Sequence, residues 1–77
     1  MDNDLSIWVL FLNPDDYPGQ AVIREQRVGR KGIDTKASAP HVFPNEQSAF
    51  RWGSLANLGV WMDRQPDDVQ SIVGAWI

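Results

Sequence analysis

Apolar residues along the chain fall into two stretches with the same design. Each stretch begins with a strand-like run, passes through a turn containing Pro, Asp and Asp, and resumes as a second strand-like run. The first stretch covers residues 5–28 with its turn at 13–19, and the second covers 60–77 with its turn at 65–68. Short β-prone runs bounded by Pro, Gly, Asn and Asp are typical of hairpins. The pattern therefore predicts two antiparallel hairpins.

The first strand is apolar on both of its faces. One alternating set is Leu5, Ile7, Val9 and Phe11, and the other is Ser6, Trp8, Leu10 and Leu12. A strand with one solvated face should alternate between apolar and polar residues, so this strand is predicted to be central and covered on both sides. The next run, 20–28, becomes polar at Glu25 and Arg27, which is typical of an edge strand.

Local signals predict the first turn and the one helix. Pro14 favours a type I turn, and 18–19, a Pro-Gly pair, fits the central positions of a type II turn. Residues 29–44 have no clear periodicity and are expected to form a long irregular segment. Asn45 is a good N-cap for a helix that should run to about Leu58 and stop at Gly59.

The resulting fold class is α+β, with the order ββαββ, a four-stranded antiparallel-rich sheet and one helix on one face, in a single domain spanning 1–77. One helix covers only one face of a sheet, so the surplus apolar face needs another cover. Tryptophan supplies a large anchoring area at interfaces. The predicted cover is a second copy of the chain or a partner protein, and the residues assigned to the dimer interface are Trp8, Leu10, Leu12, Trp61 and Trp76. The alternative is that the tryptophans close the small core of the single chain.

Size and composition limit the classes of protein that fit. A chain of 77 residues buries a thin core, and the absence of cysteine excludes disulfides and thiolate metal sites. The first residues are acidic where a signal peptide would be basic, and the longest apolar run, 7–12, is too short to span a bilayer. These features predict a cytoplasmic protein without membrane contact, in a reducing compartment, stabilised as a homodimer.

Charge is distributed unevenly along the chain. The net charge is −3, which disfavours direct binding to nucleic acid. Residues 20–41 carry a local charge of +3, so the rest of the chain carries −6. One interpretation is a solvated surface with ordinary edge-strand charges. The other is an acidic body that imitates nucleic acid or docks on a basic protein surface.

The sequence contains no recognisable catalytic, cofactor or metal site. His41 is the only histidine, and none of the serines lies in a Gly-x-Ser-x-Gly elbow. The two Asp-Asp pairs lack the ligand spacing of a calcium loop and are ordinary turn residues. The segment 29–32, Gly-Arg-Lys-Gly, is too short for a phosphate-binding loop. We therefore expect no enzyme activity, no cofactor and no metal.

Both hairpins contain a set of residues that forms a recognisable pattern, namely Trp8-Val9, Asn13-Pro14, Asp16-Tyr17-Pro18-Gly19, Val22, Arg24, Arg64, Pro66 and the closing Ile72-Val73-x-x-Trp76-Ile77. These residues resemble those of a group of small uncharacterised proteins encoded by bacteriophages and prophages. The matching residues span about half of the chain, and the middle departs from the pattern. The resemblance implies a phage setting in the host cytoplasm but no activity or site residues.

In that setting, a short, acidic, non-catalytic chain is similar in type to anti-CRISPR proteins. The first hypothesis is an inhibitor that occupies a basic nucleic-acid site on a host protein or ribonucleoprotein complex. Its contact residues are expected to be the turn acids Asp15, Asp16, Asp67 and Asp68. Both acidic turns meet at one end of the sheet if the first and last strands are antiparallel, and lie at opposite ends if they are parallel.

Two rival hypotheses follow from other features. A nucleic-acid-binding or regulatory module would use the basic segment between Arg24 and Lys36, and its candidate contacts are Arg24, Arg27, Arg30 and Lys31. A structural or assembly protein of the virion would need no site at all.

Overall fold

The computed structural model describes residues 5–35, 38–67 and 70–77. These residues form an α+β fold in which a six-stranded sheet carries one helix, confirming the predicted class. In chain order the elements are β1 (Leu5–Leu12), β2 (Ala21–Gly29), β3 (Gly32–Asp34), β4 (His41–Phe43), α1 (Glu46–Leu55), β5 (Trp61–Asp63) and β6 (Ile72–Trp76).

All strand pairs in the described sheet are antiparallel. The strands lie side by side in the order β3-β2-β1-β6-β5, so β1 is central as predicted. Strand β4 pairs with the beginning of β2 and β3 pairs with its end, both on the side away from β1. The two predicted hairpins are present as the β1–β2 and β5–β6 pairs.

The prediction of four strands with β2 at the edge is wrong. The segment 29–44 contributes β3 and β4, which cover the outer side of β2 at both of its ends. Each of these strands is only three residues long. Strand β3 begins with Gly32 and β4 lies between Pro40 and Pro44, so neither shows a recognisable alternation of apolar and polar residues. The polar side chains Glu25 and Arg27 that indicated an edge strand instead pair with each other within the sheet.

The β1–β2 connection contains the predicted type II turn. The amide of Gln20 donates to the carbonyl of Tyr17 at 3.2 Å, and Gly19 takes a φ of 76°, which only glycine adopts freely. Just before it, the amide of Tyr17 donates to the carbonyl of Pro14 at 3.0 Å. Pro14 therefore occupies the first position of this turn. The type I turn predicted from the sequence would have placed it at the second position.

Helix α1 begins as predicted and ends earlier than predicted. The side chain of Asn45 caps it by accepting a hydrogen bond from the amide of Ser48 at 2.8 Å. The helix ends at Leu55 rather than at about Leu58, because Asn57 adopts the left-handed conformation with a φ of 57°. Asparagine at this position stops the helix before Gly59 is reached.

The main core lies between α1 and the sheet. Its buried centre is Leu10, Ala21, Ile23, Ala49 and Trp76, surrounded by the partly buried Trp8, Phe43, Trp52, Leu58, Trp61 and Val73. Two glycines make this packing possible. A methyl group at Gly53 of the helix would overlap the indole ring of Trp76, and one at Gly74 of β6 would overlap the ring of Trp61. The rings of Trp61 and Trp76 meet edge to face with centroids 4.7 Å apart.

The assignment of the large residues to a dimer interface is wrong for most of them. The strand register places the set Trp8, Leu10, Leu12, Trp61 and Trp76 on the face covered by α1. Leu10 is fully buried and Trp76 is 2% exposed within this one chain, while Trp8 and Trp61 pack against the same core. Leu12 is partly exposed at the strand end. The glycines are the physical reason, since they leave room for indole rings beneath the helix.

The contact between Gly53 and Trp76 predicts an unusual mutational result. Alanine is favoured over glycine in a helix by about 1 kcal/mol, so Gly53→Ala would ordinarily stabilise α1. Here we expect it to lower the free energy of unfolding by about 1–3 kcal/mol, because the new methyl group must displace a buried indole ring. Urea unfolding monitored by tryptophan fluorescence measures the change.

The matched control for this change is Ser54→Ala, at the next and solvent-exposed position of the same helix. It should alter stability by no more than about 0.5 kcal/mol. A Gly53→Ala protein more stable than the original chain would contradict the tight packing.

Candidate functional site

The two acidic turns lie at one end of the sheet. Strands β1 and β6 are antiparallel, so the turn that follows β1 and the turn that precedes β6 are neighbours. The amide of Leu12 donates to the carbonyl of Ser71 at 2.8 Å and ties the two together. We call this region, with Asp15, Asp16 and Asp67, the acidic end. Asp68, predicted to belong to it, lies outside the described residues.

The first turn of the acidic end is held by its own hydrogen bonds. Asn13 adopts a φ of 55°, and its side chain accepts a hydrogen bond from the amide of Gly19 at 2.7 Å. The amide of Asn13 in turn donates to the carbonyl of Gln20 at 2.8 Å. These bonds close the connection between β1 and β2, and Asp15 lies exposed within it.

Asp16 differs from the other turn acids because it is paired. Its carboxylate forms an ion pair with the guanidinium of Arg24 on β2, and that guanidinium lies 5.8 Å from the centre of the Tyr17 ring. The turn thereby folds back over the sheet face that α1 does not cover. Asp16 is exposed but engaged within the chain, so Asp15 and Asp67 are the other exposed carboxylates among the described members of the predicted set.

The predicted basic contacts do not form one patch. Arg24 faces the uncovered side of the sheet and is paired with Asp16. Arg27 projects from the opposite side and contacts the carboxylate of Glu25 at 3.2 Å. Arg30 and Lys31 form the exposed turn between β2 and β3, at the end of the sheet opposite the acidic end. Lys36 lies outside the described residues.

Glu25 is a buried carboxylate that sequence reasoning treated only as a charge. It is 5% exposed and accepts a hydrogen bond from the hydroxyl of Ser6 at 2.6 Å. This bond lowers the pKa of Glu25, burial opposes the shift, and Arg27 and Ser38 reinforce it. The Ser38 hydroxyl is itself buried without a hydrogen bond of ordinary geometry among the described residues. Glu25 therefore stabilises the sheet as a paired anion.

His41 lies in an aromatic cluster on the helix side of the sheet. Its ring centre is 4.6 Å from that of Trp52 and 6.1 Å from that of Trp8. It belongs to β4 rather than to a surface loop, and it is half-buried. Within residues 5–35, 38–67 and 70–77, no group of three or more metal-binding side chains is arranged to hold an ion.

The face of the sheet opposite α1 is the feature that sequence reasoning assigned to the wrong residues. We call it the open face. The strand register places on it the apolar residues Leu5, Ile7, Val9, Phe11, Val22, Val28, Ile33, Val42, Met62, Ile72 and Ala75. Among the described strand residues, only Arg24 and Gln26 are polar members of this face. The sequence signal for the open face was the alternating set Leu5, Ile7, Val9 and Phe11 of β1, which is apolar throughout.

Comparison of the chain with known proteins found no relative. No family model, no curated protein and no solved structure matches the chain. The resemblance to small phage proteins therefore stays a prediction.

In the part of the chain that the structure describes, no helix is both long enough and apolar enough to cross a membrane.

The environment of Glu25 predicts a defined pH dependence of stability. Because its pKa is lowered on folding, its contribution is fully present above the ordinary value of 4.5 and is lost as the pH falls through the lower folded-state pKa. We expect Glu25→Gln to be less stable than the original chain at pH 7, with a difference that shrinks below pH 4.5. Urea unfolding at a series of pH values measures both effects.

Asp67→Asn provides the control, since Asp67 is an exposed turn carboxylate. It should reproduce the stability of the original chain at pH 7. A Glu25→Gln difference that stayed constant from pH 7 to pH 3 would show that the Glu25 carboxylate does not stabilise the fold through its charge.

Proposed function

We propose that this chain is a non-catalytic binding protein that docks its acidic end on a basic surface of a partner protein. The observation that carries the proposal is the antiparallel pairing of β1 with β6, which puts both Pro-Asp turns at the same end. Carboxylates gathered at one end can meet a surface that normally receives nucleic-acid phosphates. Carboxylates at opposite ends of the sheet could not contact one such surface together.

Two further properties of the acidic end support this role. Asp15 and Asp67 are exposed, so their charges are available to a partner. The internal hydrogen bonds of Asn13 and the ion pair of Asp16 with Arg24 hold the first turn in one conformation. A turn that is ordered before binding loses little conformational entropy when it docks.

The partner class follows from the resemblance to phage proteins. In that setting we propose a host defence complex that binds nucleic acid, with the acidic end occupying its basic site and inhibiting it in the manner of an anti-CRISPR protein. The proposed location is the cytoplasm of the host cell.

The rival hypothesis of a nucleic-acid-binding module has less support from the geometry. Two of its four candidate contacts, Arg24 and Arg27, are engaged with carboxylates of the same chain and project from opposite faces of the sheet. A phosphate backbone needs several cations on one continuous surface.

The test measures whether the chain displaces target DNA from a panel of purified CRISPR effector complexes in a mobility-shift assay. We expect displacement by the original chain, weakened at least about tenfold in the double variant Asp15→Asn with Asp67→Asn, because both interfacial charges are lost. The effect should also weaken as salt is raised, since exposed charges are screened.

The control variant carries Ser54→Lys with Leu55→Lys, which changes the net charge by the same +2 at exposed positions of α1 away from the two turns. It should inhibit as the original chain does. Equal inhibition by the two double variants would refute docking through the acidic end, and failure of the original chain against every complex would refute the proposed partner class.

A further inference from the structure

The open face carries apolar side chains over the whole width of the sheet, and two of its central members, Val9 and Val22, are already buried within the single chain. Its exposed members include Leu5 on the central strand, Ile33 and Val42 on one flank and Met62 on the other. Val60 and Ile77, which exchange two backbone hydrogen bonds at 2.9 Å, extend the apolar surface beyond β5 and β6, and both are exposed. Exposed apolar side chains gathered on one face of a sheet mark a candidate interaction site.

We infer that the open face binds the open face of a second copy of this chain, forming a two-fold symmetric dimer in which two sheets pack against each other. This inference is independent of the proposed inhibitory role and uses different residues from the acidic end. The resulting order of layers is helix, sheet, sheet, helix, so each sheet has an apolar cover on both sides.

The size of the face fits a dimer. The six strands hold 31 residues, and at about 4.8 by 3.4 Å per residue they give a flat footprint of about 500 Å². The accessible area of a corrugated side-chain surface exceeds its flat footprint. The open face, together with the exposed Val60 and Ile77 at its margin, is therefore of the same order as the roughly 800 Å² that each partner buries in an ordinary stable interface.

The charges on the open face also fit a second copy. A charge buried at an interface without a partner is expensive, and two identical faces bring identical charges together. The single charged strand residue on this face is Arg24, and Asp16 of the same chain pairs with it at the rim of the acidic end. Gln26 is neutral. Two copies can therefore approach without an unpaired charge or like-charge repulsion at the interface.

The thin core supplies the energetic reason for self-association. Among the described residues, the buried hydrophobic ones are Val9, Leu10, Ala21, Val22, Ile23, Ala49 and Trp76, of which Val9 and Val22 lie on the open face. Chains of this length rarely obtain enough stability from one small core. A dimer would add a second apolar layer built from Ile7, Phe11 and Ile72, which are only half-buried in the single chain.

Light scattering behind size exclusion, over a dilution series, tests the inference on the full chain. We expect a mass of twice 8.7 kDa for the original chain. Met62→Lys places a charge on the open face at a side chain that is 47% exposed, and Ile7→Lys places one on the central strand. Each should raise the dissociation constant of the dimer at least about tenfold.

Leu55→Lys is the matched control, because Leu55 is 81% exposed on α1 and lies off the open face. It should leave the dimer unchanged. A monomeric mass for the original chain at every concentration would overturn the inference. So would folded Met62→Lys and Ile7→Lys proteins that remain as tight a dimer as the original.

Two alternative occupants give distinct results. A monomer that floats with phospholipid vesicles would assign the open face to a lipid surface, and a monomer that does not float would leave it to a different protein. Either result overturns self-association. If Ile7→Lys fails to fold, Met62→Lys and the dilution series of the original chain still decide the outcome.

Discussion

The packing of two indole rings against two glycines determines how the helix and the sheet fit together. Gly53 allows α1 to approach β6 until the helix backbone lies against Trp76, and Gly74 allows Trp61 to lie across β6. A side chain at Gly53 would overlap the indole ring of Trp76, and one at Gly74 would overlap the ring of Trp61. Because Trp8 and Leu10 of β1 lie beneath the helix, the alternating set Leu5, Ile7, Val9 and Phe11 lies on the open face. The composition of both faces therefore depends on these contacts.

The parts of the fold that the sequence predicts correctly are the ones determined by neighbouring residues. The cap at Asn45 and the type II turn at Pro18 and Gly19 are local, and so are both hairpins. Strands β3 and β4 were not predicted because they form by pairing with β2, a distant part of the chain. Each has only three residues, which is too few to show a periodic pattern in the sequence. Local chemistry carries little information about such distant pairing.

The same distinction applies to the surfaces. Alternation along β1 correctly indicates two apolar faces, but it cannot say which of them lies under the helix. Gly53 and Gly74, each able to accommodate a ring, were the signal that the tryptophans belong inside. The acids of the two turns could be recognised from sequence, whereas their position at one end depends on the pairing of β1 with β6. The ion pair of Asp16 with Arg24 had no sequence signal beyond opposite charge.

Strand β3 has a consequence for how the native chain opens. All three of its residues are exposed, and its described pairing is with β2 alone. Elements with few buried contacts open at a lower free energy than the rest of the molecule, so β3 should separate in a sub-global fluctuation while the helix-side core stays intact. Each opening would leave the end of β2 as a free strand edge, to which another chain could add. The charges of Arg30, Lys31 and Asp34 in this hairpin oppose that addition, and the hairpin thereby protects the sheet against aggregation.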